Sequence, residues 1–218
     1  MDWETLGPAL SQAAGETVYM VLITLVAGGF FGLLIGLGLY LTRSGNLLGN
    51  RGVFTILNLL INLIRPVPFI IFLVALGPLT RFVTGRTIGI EAFTFAMCIM
   101  ASVVFARLVE QNLVTIDPGV VEAARAMGAS PLRIVRTLLI PEALAPLVLG
   151  YTFLFVVVLD MSAIGGYLGA GGLGDFAIVH GYQQYNWAVT FVVVVIIVVV
   201  VQLVQVLGNA LAKRALRR

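Results

Sequence analysis

Charged side chains are scarce in this sequence, and the few that interrupt its apolar runs are the places to look for chemistry. Arg65 stands in Arg65-Pro66-Val67-Pro68, inside a long apolar stretch, and Asp160, followed by Met161 and Ser162, stands near the end of another. An ionised group in hydrocarbon is unfavourable by about 3 kcal/mol or more, so each is either a functional residue or half of a buried pair. For Arg65 both readings stay open, a place on a polar pathway or an ion pair with Asp160 or Glu110. Arg107 and Glu110 are three residues apart, the spacing at which two side chains meet on one helix face, and read as a structural pair.

Other chemistries are excluded by count or context. His180 is the only histidine and makes neither a triad nor a zinc site; it reads as a surface or gate residue. Cys98, the only cysteine, lies in an apolar run and supports neither a disulfide framework nor a metal cluster. Gly169-Ala170-Gly171-Gly172-Leu173-Gly174 matches the glycine fingerprint of dinucleotide folds, but it follows an apolar span instead of a strand and opens no expected soluble helix. A tight turn or re-entrant hairpin is the better expectation. The only lysine, Lys213, lacks the glycine pattern of a P-loop, so any ATP chemistry belongs to another chain.

The longest polar interval between spanning stretches is 115–141. Asp117 is a helix cap before Pro118, which suits a first helical position, and Gly128 is placed to end that helix in a left-handed conformation. Ser130-Pro131 repeats the start signal for a second short helix, expected to run to about Leu139 and to be stopped by Pro141. Val120, Val121, Ala124 and Met127 fall on one side of the first helix, with Glu122, Arg125 and Ala126 elsewhere. Such an element is suited to touch something outside the lipid, or to lie on the headgroups.

Composition fixes the class that must position these residues. With 60% hydrophobic and 11% charged residues and a mean hydropathy of +1.08, the chain is an all-α integral membrane protein, since soluble domains carry about 25% charged residues. Five transmembrane spans are expected, at about 18–41, 53–76, 90–108, 144–164 and 187–207. Residues 1–17 read as an external N-terminal tail without signal-peptide features, 18–211 as one transmembrane domain, and 212–218 as a basic tail. Gly28, Gly32 and Gly36 give the first span a smooth stripe for close helix packing. The two prolines after Arg65 predict a kink or unwound turn, and Gly77-Pro78 an end to that span followed by a loop to Ile90. The Val192–Val201 run of the fifth span has no polar face and is expected to meet lipid.

Loop charge orients the chain. Arg43, Arg51, Arg107, Arg125, Arg133, Arg136, Lys213, Arg214, Arg217 and Arg218 fall on one side and only Arg81 and Arg86 on the other. The richer side is cytoplasmic, which puts the N-terminus outside, the C-terminus inside and the 115–141 loop in the cytoplasm.

The loop also carries a resemblance. Glu122-Ala123-Ala124, three residues, Gly128, nine residues and Leu138-Leu139-Ile140-Pro141 resemble the cytoplasmic loop of bacterial ABC importer permeases, with the aliphatics at Leu138 and Ile140 exchanged. Together with Arg65-Pro66-Val67-Pro68-Phe69-Ile70-Ile71 and the glycine segment, the chain from about Val18 onward resembles the permease subunit of the methionine-uptake importer family. The resemblance implies a type I importer permease fold in the bacterial cytoplasmic membrane. It implies ATPase coupling through Glu122, Ala123, Ala124, Arg125, Met127, Gly128 and Pro141, and a pathway near Arg65, Pro66, Pro68, Asp160, Met161 and Ser162. It further implies a homodimer with two cytoplasmic ATPase subunits, which bind the ATP and Mg, and an external substrate-binding protein or lipoprotein. No catalytic residue, cofactor, metal or nucleic-acid partner is expected in this chain itself. Asp160 departs from the family pattern, in which that position is small or aromatic. Methionine is the expected cargo, with other amino acids or small polar solutes as the alternative. A secondary transporter would show paired broken helices at corresponding positions, and only one broken span is found; a membrane anchor would leave the loop motif unexplained.

Overall fold

The computed structural model describes residues 3–216, and every regular element in it is helical. Met1, Asp2, Arg217 and Arg218 lie outside the described residues. Helix α1 runs Trp3–Thr42 without a break, so most of the interval read as a tail is helix. Pro8 lies in its second turn. After a turn, Asn50 caps α2 (Arg51–Ile64) by accepting the Val53 N–H at 3.2 Å. Next come α3 (Phe69–Ala75) and α4 (Gly77–Thr84). The expected loop after Gly77-Pro78 is thus largely helical, because proline is well tolerated in a first turn.

Helix α5 (Ile90–Val114) is the centre of the bundle and its most buried span. Against it lies the glycine stripe of α1, where a Cβ on Gly28 would lie 2.7 Å from the Ala101 Cβ, and one on Gly36 2.6 Å from the Val109 Cβ. Larger residues there would force the two backbones apart, which is the role the spacing predicts. Because positions rise together along both helices, α1 and α5 run parallel. The chain must therefore cross back between them, and α2 with α3 makes that return.

The 115–141 interval holds α6 (Pro118–Ala126), α7 (Pro131–Ile134), a π-helical turn Val135–Leu139 and α8 (Ile140–Glu142). Helix α9 (Leu144–Ile164) then runs antiparallel to α5, as Asn112 reaching the Pro146 carbonyl at 3.4 Å and Phe105 packing on Tyr151 both require. A 3₁₀ turn Gly165–Leu168, α10 (Gly172–Phe176) and a π-helical stretch Ala177–Tyr182 lead to α11 (Trp187–Leu216). The last helix is the least buried of the spans, as its valine run predicts. Among the described residues four helices are long and apolar enough to cross a bilayer, and a fifth passage is made if α2 and α3 are counted as one broken span.

Candidate functional site

Local sequence signals build the α6 hairpin. The Asp117 carboxylate accepts the Gly119 N–H at 2.8 Å, holding the first turn. At the other end Gly128 adopts φ +79°, and its N–H donates to the Arg125 carbonyl while that of Ala129 donates to the Ala124 carbonyl. This pair of bonds is a Schellman closure, which ends a helix without leaving its last carbonyls bare. Ser130 restarts the chain by accepting the Arg133 N–H at 3.4 Å.

The apolar residues of α6 divide between two surfaces instead of sharing one. Val121 is buried and Ala124 half-buried against the body of the protein, whereas Val120 and Met127 are 47% and 81% exposed. Val120, Ala123 and Met127 recur at helical spacing and form an outward apolar stripe flanked by the exposed Glu122 and Arg125. Beneath α6 a cleft of about 150 Å³ is walled by Tyr40, Arg43 and Leu47 on one side and Ile116, Val121 and Glu122 on the other. Asn46 braces that wall by donating to the Tyr40 carbonyl at 2.5 Å.

Pro141 does not stop the second helix. It occupies the first turn of α8, and the wider π turn before it, in which the Ile140 N–H donates to the Val135 carbonyl, accommodates the proline ring. The hairpin is thereby joined through nearly continuous helix to α9, whose 21 residues carry Asp160 about 24 Å from its start.

Arg65 closes α2 and is exposed, and Pro66 and Pro68 follow on an exposed turn where the helix axis swings by 111° into α3. Asp160 is exposed as well, while Met161 and Ser162 point into the packed interior, where the Ser162 hydroxyl donates to the Leu159 carbonyl at 2.7 Å. Arg65 pairs with neither Asp160 nor Glu110. The one ion pair among the described residues joins Arg107 to Glu110 at 2.6 Å, and Arg107 also reaches Asn58 of α2 at 3.4 Å. Glu110 is thus committed, and Arg65 and Asp160 have no ionic partner among the described residues.

The glycine segment does open a helix, contrary to the sequence expectation, with Gly169, Gly171 and Gly172 all at positive φ. No anion is admitted there, because the Glu16 carboxylate already accepts the Gly172 N–H at 2.7 Å and the Thr17 hydroxyl accepts the Leu173 N–H at 2.8 Å. His180 is half-buried beside Phe176, with ring centroids 4.9 Å apart. The Glu16 contact was invisible in sequence, since 156 residues separate the partners.

A multi-span helical bundle with a braced, outward-facing hairpin is the architecture of the membrane component of a multi-subunit transporter. The model of the family described as "Binding-protein-dependent transport system inner membrane component" matches residues 28–217, and the chain belongs to that family. It is a multi-pass permease of the bacterial inner membrane, and the ATPase of such a system is a separate subunit. The chain is similar to the probable D-methionine transport system permease protein MetI of Vibrio cholerae, at 38% identity over 205 residues, covering 94% of this chain and 91% of that one. It is 39% identical over 171 residues to the methionine import system permease protein MetP of Bacillus subtilis, covering 78% and 77%. Among solved structures, a chain of the inward-facing MetNI methionine ABC transporter in its native crystal form superposes with a TM-score of 0.93 at 37% identity, covering 97% of this chain and 98% of that one. A chain of an amino acid ABC transporter crystallised with histidines, at 22% identity and a TM-score of 0.79, shares the fold.

Proposed function

We propose that this chain is the permease subunit of an ATP-driven methionine importer, working as a homodimer with two cytoplasmic ATPase subunits and an external substrate-binding protein. The observation that carries the reading is α6, an exposed amphipathic helix fixed at both ends and joined through α7 and α8 to α9. A push on α6 is transmitted along α9 because close-packed helices move as bodies rather than deform. Glu122, Arg125 and Met127 face the ATPase, Ala123 contributes to the same apolar stripe, Ala124 seats the helix on the bundle, Gly128 sets its end, and Pro141 lies in the link to α9. The excess of Lys and Arg at the α6 end of the bundle supports a cytoplasmic position for that end, with the first residues of α1 outside. Residues 18–211 act as the transmembrane domain, with 1–17 leading in and 212–218 trailing.

Arg65 and Asp160 lie at similar depth, about 20 and 24 Å along helices that start from the same end. Both are exposed on the isolated chain. In the dimer they are assigned to the pathway, with Pro66 and Pro68 keeping the backbone open beside it and Met161 and Ser162 anchoring the wall behind Asp160. Methionine as cargo rests on the relatives that carry that name at 38–39% identity. The test is ATP-dependent accumulation of labelled L- and D-methionine in vesicles containing this chain, its ATPase and its binding protein. Uptake that needs all three supports the proposal; coupled ATP hydrolysis without methionine movement would assign a different cargo.

A further inference from the structure

We propose that the recess between α1, α9 and α11 binds one acyl chain of an anionic phospholipid, with the headgroup held by Arg136, Lys213 and Arg214. The recess has a volume of about 670 Å³ and is walled by aliphatic and aromatic side chains, among them Leu22 and Leu33 of α1, Leu144 and Val148 of α9, and Leu207 and Leu211 of α11. Its two hydroxyls are already used: Tyr151 donates to the Leu25 carbonyl at 2.9 Å and Thr152 to the Val148 carbonyl at 2.9 Å. A polar solute finds no donor there, and in a bilayer the only apolar material at hand is lipid chain or another protein.

Length and the charge at one mouth favour a lipid chain over protein. Leu22 to Leu33 spans eleven residues, about 17 Å of helix at 1.5 Å each. The length is about half of a 30 Å hydrocarbon core, the depth of one leaflet.

Charge stands at one mouth only. The α1 end at Leu33, the α9 end at Leu144 and the α11 end at Leu211 coincide, since α9 runs antiparallel to the other two. Arg136 precedes the lining residue Ile140 by one turn, and Arg214 follows Leu211 by three residues on the same face, with Lys213 adjacent. All three are exposed, and none takes part in an ion pair among the described residues. The carboxylate nearest in sequence, Glu142, is exposed and also unpaired, which leaves a net positive rim. Which leaflet is occupied rests on the orientation proposed above; the binding itself does not.

The complex of this chain with its ATPase, purified in detergent, is offered phosphatidylglycerol or phosphatidylethanolamine of identical acyl chains, and retained lipid is read by native mass spectrometry. About a hundredfold stronger retention of phosphatidylglycerol is expected, from three basic residues worth about 1 kcal/mol each at a membrane surface. Arg136→Gln, Lys213→Gln and Arg214→Gln together should abolish that preference, and Leu207→Trp, which narrows the recess at an exposed position, should release both lipids. Equal retention of the two lipids by the wild type, or retention untouched by Leu207→Trp, overturns the proposal. So does efficient cross-linking of Leu207→Cys between two copies in a Cys98→Ser background, which would put protein over the recess.

Discussion

The Glu16 carboxylate accepts the backbone N–H of Gly172 at 2.7 Å and, through its other oxygen, the side-chain N–H of Gln12 at 2.9 Å. One side chain of α1 thereby holds the start of α10, and the space for it exists because a Cβ on Gly171 would overlap the carboxylate. A charge-assisted bond of this kind is worth about 1.5–3 kcal/mol. Glu16→Ala is expected to lower the unfolding midpoint of the detergent-solubilised protein, with Glu16→Gln intermediate. An unchanged midpoint in both variants would show that α10 needs no cap.

Arg107 and Glu110 carry a second prediction. Glu110 is 4% exposed and its carboxylate is met by one guanidinium, which in turn reaches Asn58 and so ties α2 to α5. Removing only the cation strands a buried charge, a loss of about 3–5 kcal/mol, whereas replacing both partners by apolar residues is close to neutral. Arg107→Met should therefore destabilise far more than Arg107→Met with Glu110→Leu, as read by thermal unfolding. Additive losses in the double variant would contradict the pairing.

Asp160 tests the pathway assignment. It is exposed on α9 and has no ionic partner among the described residues, so its replacement leaves no orphaned cation in the chain. Asp160→Asn should reduce methionine uptake severalfold while basal ATP hydrolysis and the unfolding midpoint stay within error. Parallel loss of uptake and hydrolysis would make it a structural residue instead.

Features encoded over one or two helical turns were legible in the sequence. Asp117, Pro118 and Gly128 mark the ends of α6 because caps and left-handed glycines act locally. The stripe Gly28, Gly32 and Gly36 announced a close helix contact, although only the structure names α5 as the partner. The break after Arg65 followed from two prolines. What was not legible depends on distant partners. Residues 3–17 looked like a tail because what Glu16 and Thr17 hold begins at Gly172. Pro141 looked like a stop because a π turn that accommodates proline leaves no pattern in composition. Val120 and Met127 were grouped on one side of the helix with Val121 and Ala124, since an apolar side chain has the same identity whether it faces the bundle or an absent partner.

That outward stripe is where the account is most exposed to test. Met127 is 81% exposed and makes no part of the core, so Met127→Asp should fold with an unchanged unfolding midpoint. If α6 is the seat of the ATPase, a central apolar contact is worth about 2 kcal/mol or more, and its loss weakens association about thirtyfold. The most direct measurement is the affinity of the purified ATPase subunit for this chain in nanodiscs, wild type against Met127→Asp. Weakened binding by the variant, with its fold intact, is the expected result; equal binding would contradict the coupling role of the hairpin.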